Sequence, residues 1–89
     1  MKELRQERSF LRCLKVIKKR KYAIEKMETV LSFLLQETVL PGKYKDHALS
    51  GSLKGCRECH IEDNWLLIYI LTDDAVVLVA TGTHDDLFK

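Results

Sequence analysis

Histidine is the one side chain that both takes and gives a proton near neutral pH without a perturbed environment, and the chain carries three of them. His47 follows Lys45-Asp46 and precedes Ala48-Leu49-Ser50-Gly51; His60 closes Arg57-Glu58-Cys59 ahead of Trp65-Leu66-Leu67-Ile68-Tyr69; His84 closes Thr81-Gly82-Thr83 before Leu87-Phe88. The chemistry open to such a set is general acid–base transfer, one ring accepting a proton while another donates one. Spread over a loop, a strand and the C-terminal end, the three rings can meet only in a site gathered by folding.

Other chemistries compete for these residues. Cys56-Arg57-Glu58-Cys59-His60 spells the string used for c-type haem attachment. Cysteines three apart on a strand point to opposite faces, which disfavours haem, a zinc knuckle and a redox pair alike and leaves small free thiols. A three-histidine metal site from His47, His60 and His84 lacks the tight ligand spacing usual for zinc. No metal or cofactor is expected.

The elements that must position the histidines follow from apolar periodicity. Phe10, Cys13, Leu14 and Ile17 recur at helical spacing, as do Ile24, Met27, Leu31 and Leu34, with Val30 and Phe33 widening the second stripe. Two antiparallel helices joined near Arg20 to Tyr22 are predicted. Pro41-Gly42 ends this helical half, and a polar loop runs from Lys43 to Gly51. Strands are predicted over Arg57 to Glu62, Trp65 to Leu71 and Ala75 to Thr81, with Glu62-Asp63-Asn64 and Thr72-Asp73-Asp74 as turns. Connections this short make antiparallel hairpins. Lys2 to Glu7 adds a candidate edge strand. The expected architecture is α+β: two N-terminal antiparallel helices on one face of a small curved antiparallel sheet, in a single domain over residues 1–89. Strand parity puts His60 on the face of Glu58 and Cys56, and puts His84 in register with Gly82, Ala80 and Leu78 if the last strand runs on. His47 would arch over that face from the loop.

Composition narrows the class. A chain of 89 residues, 46% hydrophobic and 31% charged, has room for one modest core and none for a separate cofactor domain. No apolar run approaches the roughly 20 residues of a membrane helix, and the charged start Met1-Lys2-Glu3-Leu4-Arg5 shows no secretory signal. A cytoplasmic protein without membrane association is expected. The net charge of +2 divides unevenly, because the helical half is basic and the strand half acidic. Lys15, Lys18, Lys19, Arg20 and Lys21 form either a footprint for phosphates or an acidic partner, or the solvated face of an amphipathic helix.

The four ordered blocks, Lys45 to Gly51, Arg57 to Glu62, Trp65 to Tyr69 and Thr81 to Phe88, closely resemble the YafQ-type branch of the RelE/ParE toxin superfamily, and the helical half agrees in pattern. The resemblance implies a RelE-like fold and a type II toxin that cuts messenger RNA in the ribosomal A site. It further implies silencing by a cognate antitoxin, an operator-binding toxin–antitoxin complex, and a toxin that is monomeric alone. The implied reaction needs no metal: a 2′-hydroxyl attacks its adjacent phosphate and the 5′-oxygen leaves with a proton. By matched position His47, His60 and His84 are the proton-transfer candidates, with His84 as acid and His60 or His47 as base. Trp65, Phe88, Asn64, Asp63, Lys45 and Ala80 would shape the substrate site, the two aromatic rings by stacking on bases. The alternatives are a partly buried sheet aromatic for Trp65 and a terminal clip onto the core for Phe88. The basic helix residues would then dock on ribosomal RNA phosphates.

Two departures from the family pattern bear on mechanism. Asn64 stands where close relatives carry an acidic residue, with Asp63 one position earlier. Ala80 stands where many carry an arginine that would clamp the scissile phosphate. By analogy with single oxyanion-hole donors, losing such a contact costs about 2.7–4 kcal/mol of transition-state stabilisation. Another cation (Arg57, Lys43, Lys45 or Lys54) reaches the phosphate, the nuclease is weak or specialised, or the alanine is an engineered change. Arg57 has the wrong strand parity, which favours the loop lysines. A non-cleaving binding module acting through its antitoxin and operator, and a free ribonuclease working off the ribosome, are the competing functions. Gyrase poisoning, as in ParE-type members, is disfavoured because those members lack the histidine set.

Overall fold

The two helices form where apolar residues recur at helical spacing, and both stop by the same device. In a computed structural model describing residues 1–88, α1 (Arg8–Lys19) buries Phe10 and Ile17, and α2 (Ile24–Leu35) buries Met27, Val30 and Leu34. Neither has a side-chain N-cap. After α1, Lys21 turns left-handed at φ 61°, its N–H donates to the Lys18 carbonyl at 3.0 Å, and that of Tyr22 donates to Ile17 at 3.3 Å. Glu37 (φ 59°) and Thr38 repeat the pattern on Leu34 and Phe33. This pair of reversed bonds is the Schellman closure, made here without the glycine that usually eases it.

The sheet has five strands in the order β1-β5-β4-β3-β2: β1 (Glu3–Gln6), β2 (His47–Ala48), β3 (Arg57–Glu62), β4 (Trp65–Leu71) and β5 (Ala75–Gly82). Three of its pairings are antiparallel, as the short turns require. The fourth corrects the expectation of a wholly antiparallel sheet, since β1 runs parallel to β5, Glu3 opposite Ala75 and Gln6 opposite Leu78. No short turn dictates that direction, because both helices, a loop and three strands lie between the two partners. A short helix, α3 (His84–Phe88), follows β5. Among the described residues no helix is long and apolar enough to cross a membrane.

The core lies between the helices and one face of the sheet. Phe10, Ile17, Met27, Val30 and Leu34 meet Cys59, Ile61, Trp65, Leu67, Tyr69, Val76 and Leu78. A bulge sets the rest of β5: Tyr69 pairs with Leu78, but Ile68 pairs with Ala80, leaving Val79 extra. Expected strand parity put Leu78, Ala80 and Gly82 on one face. The bulge instead keeps Leu78 in the core and turns Ala80 to the open face, and the strand stops at Gly82, so that His84 opens a helix rather than continuing a strand. The Val79 carbonyl, freed from the ladder, accepts the Ser9 hydroxyl at 2.5 Å.

Candidate functional site

Register places the open face residue by residue. His47, Glu58, Ile68 and Ala80 form one row across β2, β3, β4 and β5, and His60, Leu66 and Gly82 form the next. The polar loop of the sequence reading is therefore partly strand, because His47–Ala48 pair with Glu58 and Arg57. That pairing carries His47 onto the face of His60.

Glu58 joins these two rings and was not singled out by sequence reasoning. Its side chain is 8% exposed, and its Oε1 lies 3.3 Å from His47 Nε2 and 3.7 Å from His60 Nε2. At the far side of each ring, Nδ1 sits 2.8 Å from the Lys45 carbonyl for His47 and 3.2 Å from the Asp63 carbonyl for His60. A carbonyl only accepts, so each Nδ1 donates, and in the neutral ring each Nε2 is the basic nitrogen. Two basic nitrogens flanking one shielded carboxylate form a pair that can hold a proton between them. The one available signal was its strand parity with His60.

The loop that carries His47 is held from behind. Arg57 clamps Asp46 with Nη2 at 2.9 Å and Nε at 3.3 Å, and the Tyr69 hydroxyl donates to the same carboxylate. Burial, followed by the Asp46 contact, raises the Tyr69 pKa far above its ordinary value, so the phenol stays protonated. Arg57 is thus spent on Asp46 and does not serve the histidine face. Lys45 occupies a left-handed turn at φ 51°. With Lys26, Thr29, Lys43, Tyr44, His60, Glu62 and Asp63 it lines a pocket of about 370 Å³. Lys26 is paired with Glu62 at 2.7 Å and Lys43 lies over the Tyr44 ring at 5.2 Å, while Lys45 makes no ion pair among the described residues. Lys45 is therefore a cation without an ion pair at the His60 side among the described residues.

His84 stands apart from the Glu58 pair. Its backbone N–H donates to Asn64 Oδ1 at 3.1 Å and its ring tilts against Phe88 at 5.0 Å. Asn64 thus acts through its side chain on the His84 backbone, and Asp63 through its carbonyl on His60. Phe88 is 39% exposed, with its ring beside the histidine.

Two residues sit in surroundings that differ from those expected. Trp65 is 1% exposed, with its ring edge-on to Tyr22 at 5.0 Å and its Nε1–H donating to Thr81 Oγ1 at 2.9 Å. It is a core aromatic with no face free for a base, because its strand position points toward the helices. Arg20, expected on ribosomal RNA, is bound to Asp86 through two hydrogen bonds at 2.7 and 3.2 Å. Lys15, Lys18, Lys19 and Lys21 remain exposed and outside any ion pair among the described residues. Cys56 and Cys59 are free thiols, Cys59 buried in the core and Cys56 half-buried just before β3. Among the described residues no group of three or more His, Cys, Asp or Glu side chains is arranged to hold a metal ion.

Two helices on one face of an unclosed five-stranded sheet, with His47 and His60 on the other, define a small RelE-like toxin. Comparison with known proteins narrows the class. The family described as bacterial toxin of type II toxin–antitoxin system, YafQ, matches residues 2–89, and the chain belongs to it. The mRNA interferase toxin YafQ of Escherichia coli K12 is 43% identical over 76 residues, covering 84% of this chain and 83% of that protein. The crystal structure of YafQ from E. coli BL21(DE3) superimposes with a TM-score of 0.94 at 36% identity, covering all of both chains. YafQ in the crystal structure of the E. coli DinJ–YafQ complex does so with a TM-score of 0.92 at the same identity, again covering all of both chains.

Proposed function

We propose that this toxin is a metal-independent, ribosome-dependent messenger RNA endoribonuclease that a cognate antitoxin silences. The observation that carries the reading is Glu58 between the Nε2 atoms of His47 and His60 on the open sheet face, with His84 opening α3 just after β5. One ring of the pair takes the 2′-hydroxyl proton and Glu58 stabilises the imidazolium that results. The 2′-oxygen bonds to phosphorus, the bond to the 5′-oxygen breaks, and His84 delivers a proton to that leaving oxygen. The products are a 2′,3′-cyclic phosphate and a 5′-hydroxyl, and the histidines have exchanged one proton overall. Lys45, with Lys43 beside it, supplies the positive charge that an arginine at position 80 would otherwise bring. The exposed lysines at positions 15, 18, 19 and 21 dock the toxin on ribosomal RNA phosphates, and the toxin–antitoxin complex binds operator DNA. The named antitoxin complex of the similar E. coli protein supports a protein partner of this kind.

Ala80 favours one competing reading, a non-cleaving binding module on the same fold. Primer extension on a translated messenger RNA in a reconstituted translation system separates the two, comparing the chain as given with His84→Ala and Ala80→Arg. Cleavage at A-site codons by the chain as given, lost in His84→Ala, is the expected result. Cleavage by Ala80→Arg alone makes the chain as given a binding module. Equal cutting of naked RNA removes the ribosome from the proposal.

A further inference from the structure

A helix of five residues cannot hold itself in water, yet α3 carries His84 and the His84–Phe88 ring contact. What holds it is Asp86. The Thr83 N–H donates to Asp86 Oδ2 at 2.9 Å and the Asp86 N–H donates to Thr83 Oγ1 at 3.1 Å, a reciprocal cap on the first turn. The same carboxylate receives both Arg20 donors in a two-point grip. Arg20 sits at the C-cap of α1, where its own N–H is bonded to Val16 at 3.0 Å and the left-handed Lys21 fixes the chain end. The grip therefore anchors α3 to the end of a packed helix. Gly82 completes the arrangement: a Cβ there would lie 2.9 Å from Asp86 Oδ2, so only glycine lets the carboxylate close against the strand end. Of the five basic residues between positions 15 and 21, Arg20 alone makes an ion pair among the described residues.

We propose that Arg20 and Asp86 are positioning residues for the proposed acid, a clasp between the end of α1 and α3 that fixes where His84 presents its proton. The inference rests on the nuclease reading, since the clasp matters to cleavage only if His84 does. It gives Arg20 a role distinct from that of its neighbouring lysines. They meet phosphate and act on docking, whereas Arg20 acts on the chemical step.

The test is the kcat and KM for A-site cleavage by Arg20→Ala, Arg20→Lys, Asp86→Asn and His84→Ala, with the salt dependence of ribosome binding and the NMR signals of the His84 ring. Misplacement of a reacting group by about 1 Å costs on the order of 100-fold. Arg20→Ala is therefore expected to lower kcat by about 10- to 100-fold. KM and the salt dependence should stay unchanged, and the His84 ring signal should lose the shift imposed by Phe88. Arg20→Lys should recover part of the loss. Asp86→Asn keeps an acceptor for the Thr83 cap while removing the charge that Arg20 grips, so it reports on the clasp even if Arg20→Ala fails to fold. If Arg20→Ala instead raises KM and flattens the salt dependence with kcat intact, Arg20 is a phosphate contact and the clasp idea is overturned. Full activity in His84→Ala removes His84 as the acid and the clasp with it, no cleavage by the parent chain overturns the nuclease reading, and an inactive His84→Ala beside fully active clasp variants overturns only the clasp.

Discussion

Trp65→Phe separates a core role from an RNA-stacking role, and the structure sets the size of the effect. The substitution removes the buried bond from Nε1 to Thr81 Oγ1, a loss of about 1 kcal/mol for a neutral hydrogen bond. It also removes ring atoms equivalent to about two methylenes, at ~0.8 kcal/mol each. The sum is about 2.5 kcal/mol, which for a urea slope of roughly 1 to 1.5 kcal/mol per molar moves the unfolding midpoint down by about 2 M. Thr81→Val should show a comparable loss, because it strands the indole N–H and takes the hydroxyl from the Leu66 carbonyl that it also serves at 2.7 Å. The double variant should lose less than the sum, since the two residues share one bond. Equilibrium unfolding followed by tryptophan fluorescence for Thr81→Val, and by circular dichroism for all three, reads these numbers. Cleavage by folded Trp65→Phe should stay within an order of magnitude of the parent. An unchanged midpoint with abolished cleavage would put the indole on RNA and refute the core assignment.

Two further outcomes follow from the ionisable groups. Burial, with the Asp46 and Glu58 carboxylates adding to it, pushes the Cys59 thiol up to about 12, so at pH 8 Ellman's reagent should titrate Cys13 and Cys56 quickly and Cys59 only on unfolding; fast reaction of all three thiols contradicts this burial. The Arg20 guanidinium, followed by the Thr83 N–H, holds the Asp86 carboxyl well below its usual range. A group depressed in the folded state contributes stability above its unfolded value near 4 and loses it as pH falls through the folded value. Protection factors in α3, including that of the Leu87 amide bonded to the Thr83 carbonyl at 3.2 Å, should therefore fall below about pH 4 before the molecule unfolds. Protection in α3 that is lost only with the whole fold would show that the clasp does not hold it.

The strand half was legible because its signals are local. Arg57–Glu62 and Trp65–Leu71 have the boundaries that alternation and polar turns predict, and Ala75–Gly82 is one residue longer. Helical stripes likewise located α1 and α2, including buried Phe10, Ile17, Met27 and Leu34. What escaped depends on partners distant in sequence. Nothing local tells Glu3–Gln6 to run parallel to β5, or tells Val79 to bulge and send Ala80 to the open face. His47–Ala48 is too short to alternate and is a strand only because Glu58 and Arg57 lie opposite. At the site, residue type pointed to the histidines, and family resemblance gave them roles. Glu58 passed as one carboxylate among many until its burial between two imidazoles set it apart. Arg20 looked like its lysine neighbours for the same reason, since charge is visible in a sequence and a two-point grip on Asp86 is not.

The placement of β1 beside β5 also bears on how the chain reaches this structure. Contacts such as Lys2 with the Thr72 carbonyl and Ser9 with the Val79 carbonyl close loops of 70 residues, and the entropy of such closure must be met before the pairing gives anything back. Helices and hairpins can form early from neighbours, but the edge strand has no seat until β5 is in place. Topologies with such long-range pairing fold more slowly than helical bundles. His84 lies in α3, whose tie to Arg20 spans 66 residues, so the third histidine too depends on a long closure. A nascent chain can thus own most of its secondary structure while still lacking a working site, and the interval between the two is set by chain connectivity.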